Sequence, residues 1–313
     1  MTGQANTTLD PKTHEFLEGF GQIMASVASL PVAEKRAEFK RLFSLPQSDQ
    51  EPVGSVVDKT IVGPNGEIDL RIFTPEGEGP FPVMVYFHHG GWTFGSLDEC
   101  EPVCRRMTNA TGVIIIAVDY RLAPENKYPT PLFDAFAATQ WAIQHAQTIK
   151  GDPSCVGVGG ESAGGNLAAA VTLMARDIGT LPVAFQTLFY PILTCDLDPK
   201  AYENSPDKHL LTLDNMKWFS EQYLTNQDEE KKLPYTSPVK ASDYSGLPRA
   251  LILTAEWDPL RFEGQDYAQS LVSHHVDVQY NCYPNVIHGF LGFPIYPEEA
   301  AAAMAEIKGF IKR

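Results

Sequence analysis

Basic residues are scarce: 24 Lys and Arg stand against 39 Asp and Glu, a formal net charge of −15. A nucleic-acid partner is not expected, because such a protein must supply Lys and Arg to neutralise phosphates. Anionic membrane surfaces are disfavoured for the same reason. Long apolar runs are also lacking. The longest, around residues 113–118 and 188–193, fall far short of a membrane span. The first ten residues are polar, with no basic stretch leading into an apolar one, so no secretory leader is expected. Cysteine is sparse and unpatterned: Cys100, Cys104, Cys155, Cys195 and Cys282 are an odd number without a C-x-x-C pair. That argues against a disulfide framework or a zinc site and for a reducing, cytoplasmic setting. No internal repeat or low-complexity tract interrupts the chain.

What is present reads as globular. Hydrophobic residues make up 43% and charged residues 20% of 313, enough for one large core. From residue 81 onward, short β-rich runs alternate with helical patterns. Strands are expected at 81–88, 112–119, 155–159, 183–190, 250–254 and 276–283, and helices at 99–109, 132–148, 163–178, 262–273 and 297–311. Continuous apolar strands separated by helices imply an α/β fold with a mostly parallel sheet buried on both faces. Before it, residues 55–62 and 67–73, joined by Pro64-Asn65-Gly66, read as an antiparallel hairpin at the sheet's edge.

Two segments break the alternation. Residues 11–43 hold two helical stretches, in which Phe16, Phe20, Met24 and Val27 recur at helical spacing. Residues 196–233 are inserted where one strand-to-strand crossover should be. Such insertions commonly build a lid. The expected organisation is a discontinuous helical cap, 1–50 with 196–233, over a catalytic domain, 51–195 with 234–313.

The chemistry lies in three places. Gly160-Glu161-Ser162-Ala163-Gly164 matches G-x-S-x-G between an expected strand and an expected helix. A serine on that sharp turn projects its Oγ at the sheet's carboxyl end, beside unpaired N–H groups of the helix N-terminus. Tyr86-Phe87-His88-His89-Gly90-Gly91-Trp92 follows the first long strand. Its small residues allow backbone N–H groups to reach an oxyanion, and Gly90, Gly91 and Ala163 are the expected donors. His88 reads as a hydrogen-bonding support for this loop. After the strand at 250–254 come Glu256 and Asp258, and position alone barely separates them as the acid; Asp258 is preferred.

The base is better resolved. His274, His275 and His288 follow Asp258, but the first two precede the last strand. Eight strand residues span roughly 26 Å, so neither could reach the serine. His288 lies beyond the strand's far end. The order Ser162, Asp258, His288 is that of α/β hydrolases.

At this point the chain resembles the hormone-sensitive-lipase family of carboxylesterases, also called bacterial family IV. Besides the elbow and the glycine loop, the similarity rests on Asp119-Tyr120-Arg121-Leu122-Ala123-Pro124-Glu125, Tyr190-Pro191, Ser237-Pro238, the block 247–260, and Tyr283-Pro284 with His288-Gly289-Phe290. It covers residues 53–313. The resemblance implies an α/β-hydrolase fold with a helical cap, nucleophile Ser162, acid Asp258, base His288 and donors Gly90, Gly91 and Ala163, with no cofactor or metal. Two positions depart from the family's pattern. His89 stands where the first glycine of H-G-G-G is common, and Glu161 where Asp is common. A positive φ at His89 would cost about 1 kcal/mol, and the partner of the Glu161 carboxylate is left open. Arg121 and Glu125, four apart, are expected to clamp their own loop.

The expected function is hydrolysis of small, short-acyl esters through an acyl-enzyme. The same triad cleaves amides, so an amidase or formamidase is the runner-up. A non-catalytic small-molecule receptor of the same fold is the rival class, although all three catalytic positions are filled here. The edge strand 276–283 could pair across a two-fold axis in a homodimer.

Overall fold

The computed structural model describes residues 9–203 and 210–313. Residues 1–8 and 204–209, which belong to the two expected cap segments, lie outside the described residues. The chain opens with α1 (Pro11–Val27) and α2 (Val32–Phe43). Asp10 caps α1 by accepting the Thr13 N–H at 3.0 Å, and Pro11 stands at its first position, where no N–H is needed. The hairpin follows as β1 (Ser55–Gly63) and β2 (Gly66–Thr74). Next come β3 (Phe81–Phe87), α3 (Leu97–Thr111), β4 (Ile114–Asp119), α4 (Thr130–His145), β5 (Gly151–Glu161), α5 (Ala163–Ile178) and β6 (Phe185–Phe189). The insertion holds α6 (Pro199–Glu203), α7 (Leu213–Tyr223) and α8 (Gln227–Glu230). The chain then closes with β7 (Arg249–Trp257), α9 (Arg261–Ser273), β8 (Val278–Ile287) and α10 (Pro297–Ile311).

Among the described residues, eight strands form one sheet in the order β1-β2-β4-β3-β5-β6-β7-β8. The hairpin β1–β2 is antiparallel and joins β4 antiparallel; every pairing from β4 to β8 is parallel. Strand side chains alternate between two buried layers. In β4, Ile114, Ile116 and Val118 face a core with Leu132 and Ala135 of α4 and Leu167 and Val171 of α5. Ile115 and Ala117 face the opposite core, shared with Cys104 and Met107 of α3 and Ile307 and Phe310 of α10. Burial on both sides is why these strands read as unbroken apolar runs.

The last two strands run further than the apolar pattern predicts. A register shift between Ala255 and Trp257 carries the pairing on to Trp257 opposite Ile287. His288 therefore follows β8 directly instead of standing five residues past it. His274 and His275 sit at the end of α9, before β8 begins, as the sequence implied.

The terminal helices and the insertion meet. Lys35 of α2 lies 4.9 Å from the Trp218 ring of α7. Phe94, in the loop after β3, stacks on Phe39 of α2 at 4.5 Å and on Trp218 at 5.7 Å. No helix of the described residues is long and apolar enough to cross a membrane.

Candidate active site

Ser162 occupies the single position between the end of β5 and the start of α5, with φ 55° and ψ −117°. That backbone is strained for a residue with a side chain and persists because its surroundings fix it. The Ser162 N–H donates to Phe189 O at 3.0 Å, and its carbonyl accepts the N–H groups of Asn166 and Ile192, both at 3.1 Å. The flanking glycines are obligatory for a steric reason. A Cβ on Gly160 would overlap the backbone of Gly164, and one on Gly164 would overlap Phe87 O. The second clash shows that the elbow packs directly on the end of β3, where the glycine loop begins.

Along that loop, Gly90 and Gly91 take φ values of 117° and 59°. A Cβ on Gly90 would strike the Phe94 backbone, and one on Gly91 would strike the Phe219 ring of α7. Glycine is thus required by conformation and by space. His89 has no positive φ among the described residues, so the backbone cost considered for it does not arise. The N–H groups of Gly90, Gly91 and Ala163 donate to no acceptor among the described residues. Ala163 is the first residue of α5, where an amide has no intrahelical partner.

His88 is buried, with its ring stacked on Tyr120 at 4.2 Å and Nδ1 2.8 Å from His89 O. Burial pushes its pKa down to about 4, so the ring is neutral and Nδ1–H donates to that carbonyl. Tyr120 O–H donates to His88 O at 2.8 Å. His88 supports the loop from beneath, in keeping with its reading as a support.

The two carboxylates that the sequence left nearly equal have different partners. Asp258 is buried; its Oδ2 lies 2.7 Å from His288 Nδ1, and its Oδ1 accepts the Leu260 N–H at 2.9 Å. Glu256 instead accepts the Asn285 N–H at 2.9 Å, bracing the far part of β8. The short Asp258 contact orients the imidazole through Nδ1 and leaves Nε2 for other work. Tyr190, which follows β6, joins this pair to the elbow. Its ring lies edge-on to His288 at 4.9 Å, and its O–H donates to Glu161 Oε2 at 2.7 Å.

Glu161, immediately before Ser162, is nearly inaccessible. Its carboxylate also accepts the Tyr86 O–H and faces His89 Nδ1 at 3.6 Å. Burial opposes its ionisation, yet His89 first, then the two hydroxyls, hold its pKa below the usual carboxylate range. Neither Tyr86 nor Tyr190 was assigned a role from sequence. A tyrosine among the apolar residues of a buried strand was the available signal, since its hydroxyl must find a partner.

The expected Arg121–Glu125 clamp is corrected. Arg121 makes a two-point pair with Asp134 of α4, at 2.8 and 2.5 Å, and donates to Asn65 O at 2.8 Å. Glu125 pairs instead with Arg36 of α2, at 3.0 and 2.7 Å. Spacing of four implies a local pair only in a helix, and this stretch is not helical.

The molecule has extensive known counterparts. A family model described as alpha/beta hydrolase fold matches residues 84–292. Carboxylesterase NlhH of Mycobacterium tuberculosis (strain ATCC 25618 / H37Rv) is 35% identical over 314 residues, covering 99% of this chain and 97% of that protein. An arylesterase of Saccharolobus solfataricus is 31% identical over 287 residues, covering 91% and 93%. The solved hyperthermophilic esterase of the archaeon Pyrobaculum calidifontis superposes with a TM-score of 0.89 at 37% identity, covering 97% of this chain and 98% of that one.

Proposed function

The chain belongs to the hormone-sensitive-lipase family of the α/β-hydrolase fold and is a carboxylic-ester hydrolase, and on that premise we propose a serine mechanism centred on Ser162. Ser162 Oγ attacks the ester carbonyl while His288 takes its proton through Nε2. Asp258 holds the imidazole in the tautomer that leaves Nε2 free and stabilises the imidazolium. The N–H groups of Gly90, Gly91 and Ala163 receive the developing oxyanion. His288 returns the proton to the leaving alkoxide, and the acyl group stays on Ser162. Water activated by the same imidazole then releases the acid.

The observation that carries this reading is the buried 2.7 Å contact between Asp258 and His288, formed at the carboxyl ends of β7 and β8. The strained serine stands at the carboxyl end of β5 in the same parallel array. Parallel strands present their carboxyl ends at one rim, which is where α/β enzymes carry their chemistry.

Two further elements belong to the same proposal. The cap is formed by residues 1–50 and 196–233, a division supported by the Lys35–Trp218 and Phe39–Phe94–Trp218 contacts. Aromatic side chains crowd the glycine loop from that side, with Phe219 against Gly91 and Phe43 edge-on to His89 at 5.7 Å. Such crowding favours small, short-acyl esters. Free cysteines at all five positions support a cytoplasmic setting, and the edge strand β8 is the face on which a homodimer would pair.

A rate series on p-nitrophenyl esters from acetate to palmitate, run with wild type and Ser162→Ala, tests the reading. Wild type should turn over the short esters fastest, and the variant should lose about 10⁵-fold or more in kcat. Turnover by the alanine variant near the wild-type rate would refute the nucleophile, and a preference for palmitate would refute the small-substrate reading.

A further inference from the structure

The two positions at which this chain departs from its family's pattern touch one another. His89 replaces a glycine in the oxyanion loop, and Glu161 replaces an aspartate beside the nucleophile. His89 Nδ1 stands 3.6 Å from Glu161 Oε2, with 30% of the imidazole side chain exposed and 3% of the carboxylate. Glycine offers nothing to pair with, and an aspartate is one methylene shorter. A longer acid and a basic ring arrived at facing positions.

We propose that His89 and Glu161 form an ion pair that pins the oxyanion loop to the nucleophile elbow, making His89 a positioning residue for the Gly90 and Gly91 amides. This deepens the serine-esterase reading and rests on it. The pair joins two flanking peptides: His89 directly precedes Gly90, and Glu161 directly precedes Ser162. Fixing one against the other fixes the distance between donors and nucleophile, the quantity on which oxyanion stabilisation depends. Glu161 is itself held at two further points, by the Tyr86 and Tyr190 hydroxyls, so it is a rigid anchor. His89 has no hydrogen-bond partner for Nδ1 among the described residues, so the carboxylate is what restrains its ring electrostatically, together with the edge of Phe43 from α2.

A consequence in pH follows from the charges around the ring. Glu161 faces His89 from the end of β5, Glu99 acts on it from α3, and neutral His88 adjoins it in the loop. Tyr86 of β3 and Tyr190 after β6 reach the pair through Glu161, while α2 contributes the Phe43 edge and the Lys40 ammonium, which acts on Glu99. Burial lowers the His89 pKa, but Glu161 and then Glu99 outweigh it, and the net shift is upward. The imidazolium therefore persists above about pH 6.5, the ordinary midpoint of histidine, and the pin is lost only on the alkaline side.

The test is steady-state hydrolysis of p-nitrophenyl acetate from pH 6 to 10, corrected for spontaneous hydrolysis, with wild type, His89→Gln, Glu161→Gln and the double variant. Wild-type kcat should fall on the alkaline side while far-ultraviolet circular dichroism stays unchanged. His89→Gln should lower kcat at pH 7 about tenfold, a fraction of the loss on deleting a donor outright. Its KM should stay within twofold and its alkaline limb should vanish. Adding His89→Gln to Glu161→Gln should cost nothing more, because the pin is already broken. A wild-type profile flat to pH 10, wild-type kcat in His89→Gln, or losses that multiply in the double variant would each overturn the proposal. Where a variant does not fold, the wild-type profile alone decides. Ser162→Ala keeps the two readings apart: if it is inactive while His89→Gln behaves as wild type, only the pin fails.

Discussion

Arg36 of α2 holds Glu125 in a two-point ion pair, at 3.0 and 2.7 Å, and the same guanidinium donates to Thr93 O at 2.8 Å and Ala123 O at 2.7 Å. One side chain of α2 thus grips both the glycine loop after β3 and the loop after β4. Lys127 in that second loop donates to Glu221 O and Leu224 O at the end of α7, and the Tyr128 N–H donates to Tyr223 O. The stretch from Arg121 to Tyr128 is therefore a junction: Arg121 fastens it to α4, Glu125 to α2, and Lys127 to α7. A planar fork with several donors suits the Arg36 position, and an ammonium could not span the same acceptors.

The ion pair itself is expected to contribute little, because 57% of the Glu125 side chain is exposed. The two backbone carbonyls are the larger part. Glu125→Ala should cost under about 1 kcal/mol in urea unfolding. Arg36→Ala should cost about 2 kcal/mol, with faster proteolysis of the first 50 residues in the native state. Arg36→Lys should recover less than half of that loss. Equal destabilisation by Arg36→Ala and Glu125→Ala would show that the carbonyl contacts carry nothing.

Asp119, at the end of β4, stands directly opposite Asp69 of β2. Burial first, then the charges of Asp69, Asp98 and Glu99, push its pKa up to about 6, against a partial downward pull from Arg71. A folded-state pKa above the unfolded value of about 3.9 means that the native state binds this proton more tightly. Its contribution to stability is therefore greatest in acid, declines as pH rises from about 4 to about 6, and stays unfavourable above that. Asp119→Asn removes the penalty. It should raise the unfolding free energy at pH 8 by up to about 3 kcal/mol, with the gain shrinking toward zero near pH 4. Urea titrations of both proteins at the two pH values make the comparison, and an unchanged or lower stability at pH 8 would contradict it.

Most of the scaffold was legible because both faces of the sheet are buried. Continuous apolar runs set strand positions, whereas Gly112, expected as the first residue of a strand, is the left-handed cap that ends α3, with φ of 70°. The helices 163–178 and 297–311 were located to the residue. The ends of β7 and β8 were not, because a register shift lets strands continue through Trp257 and Asn285, which apolar periodicity does not reveal. Candidate site residues were legible where a motif forces a backbone conformation, as the glycines around Ser162 do. Partners were not. Arg121 found Asp134 and Glu125 found Arg36 across 13 and 89 positions, distances over which one sequence carries no pairing signal. The same holds for Tyr86, Tyr190 and His89 converging on Glu161.

The choice between Asp258 and Glu256 is the sharpest remaining question that mutation can decide. Both follow the apolar part of β7 and both carboxylates are engaged, so neither charge nor position separates them. The donors they face do: Asp258 faces an imidazole, whereas Glu256 faces a backbone amide in β8. An asparagine at 258 keeps the volume but can present an N–H to Nδ1. That stabilises the tautomer with the proton on Nε2, where it blocks proton uptake from Ser162. Asp258→Asn should therefore lower kcat by about 10³–10⁴ with KM little changed. Glu256→Gln retains an acceptor for the Asn285 N–H, so its kcat should stay within about threefold of wild type and its effect should appear in stability instead. Comparable kcat losses in the two variants would mean that the buried 2.7 Å contact does not single out Asp258 as the residue that orients the base.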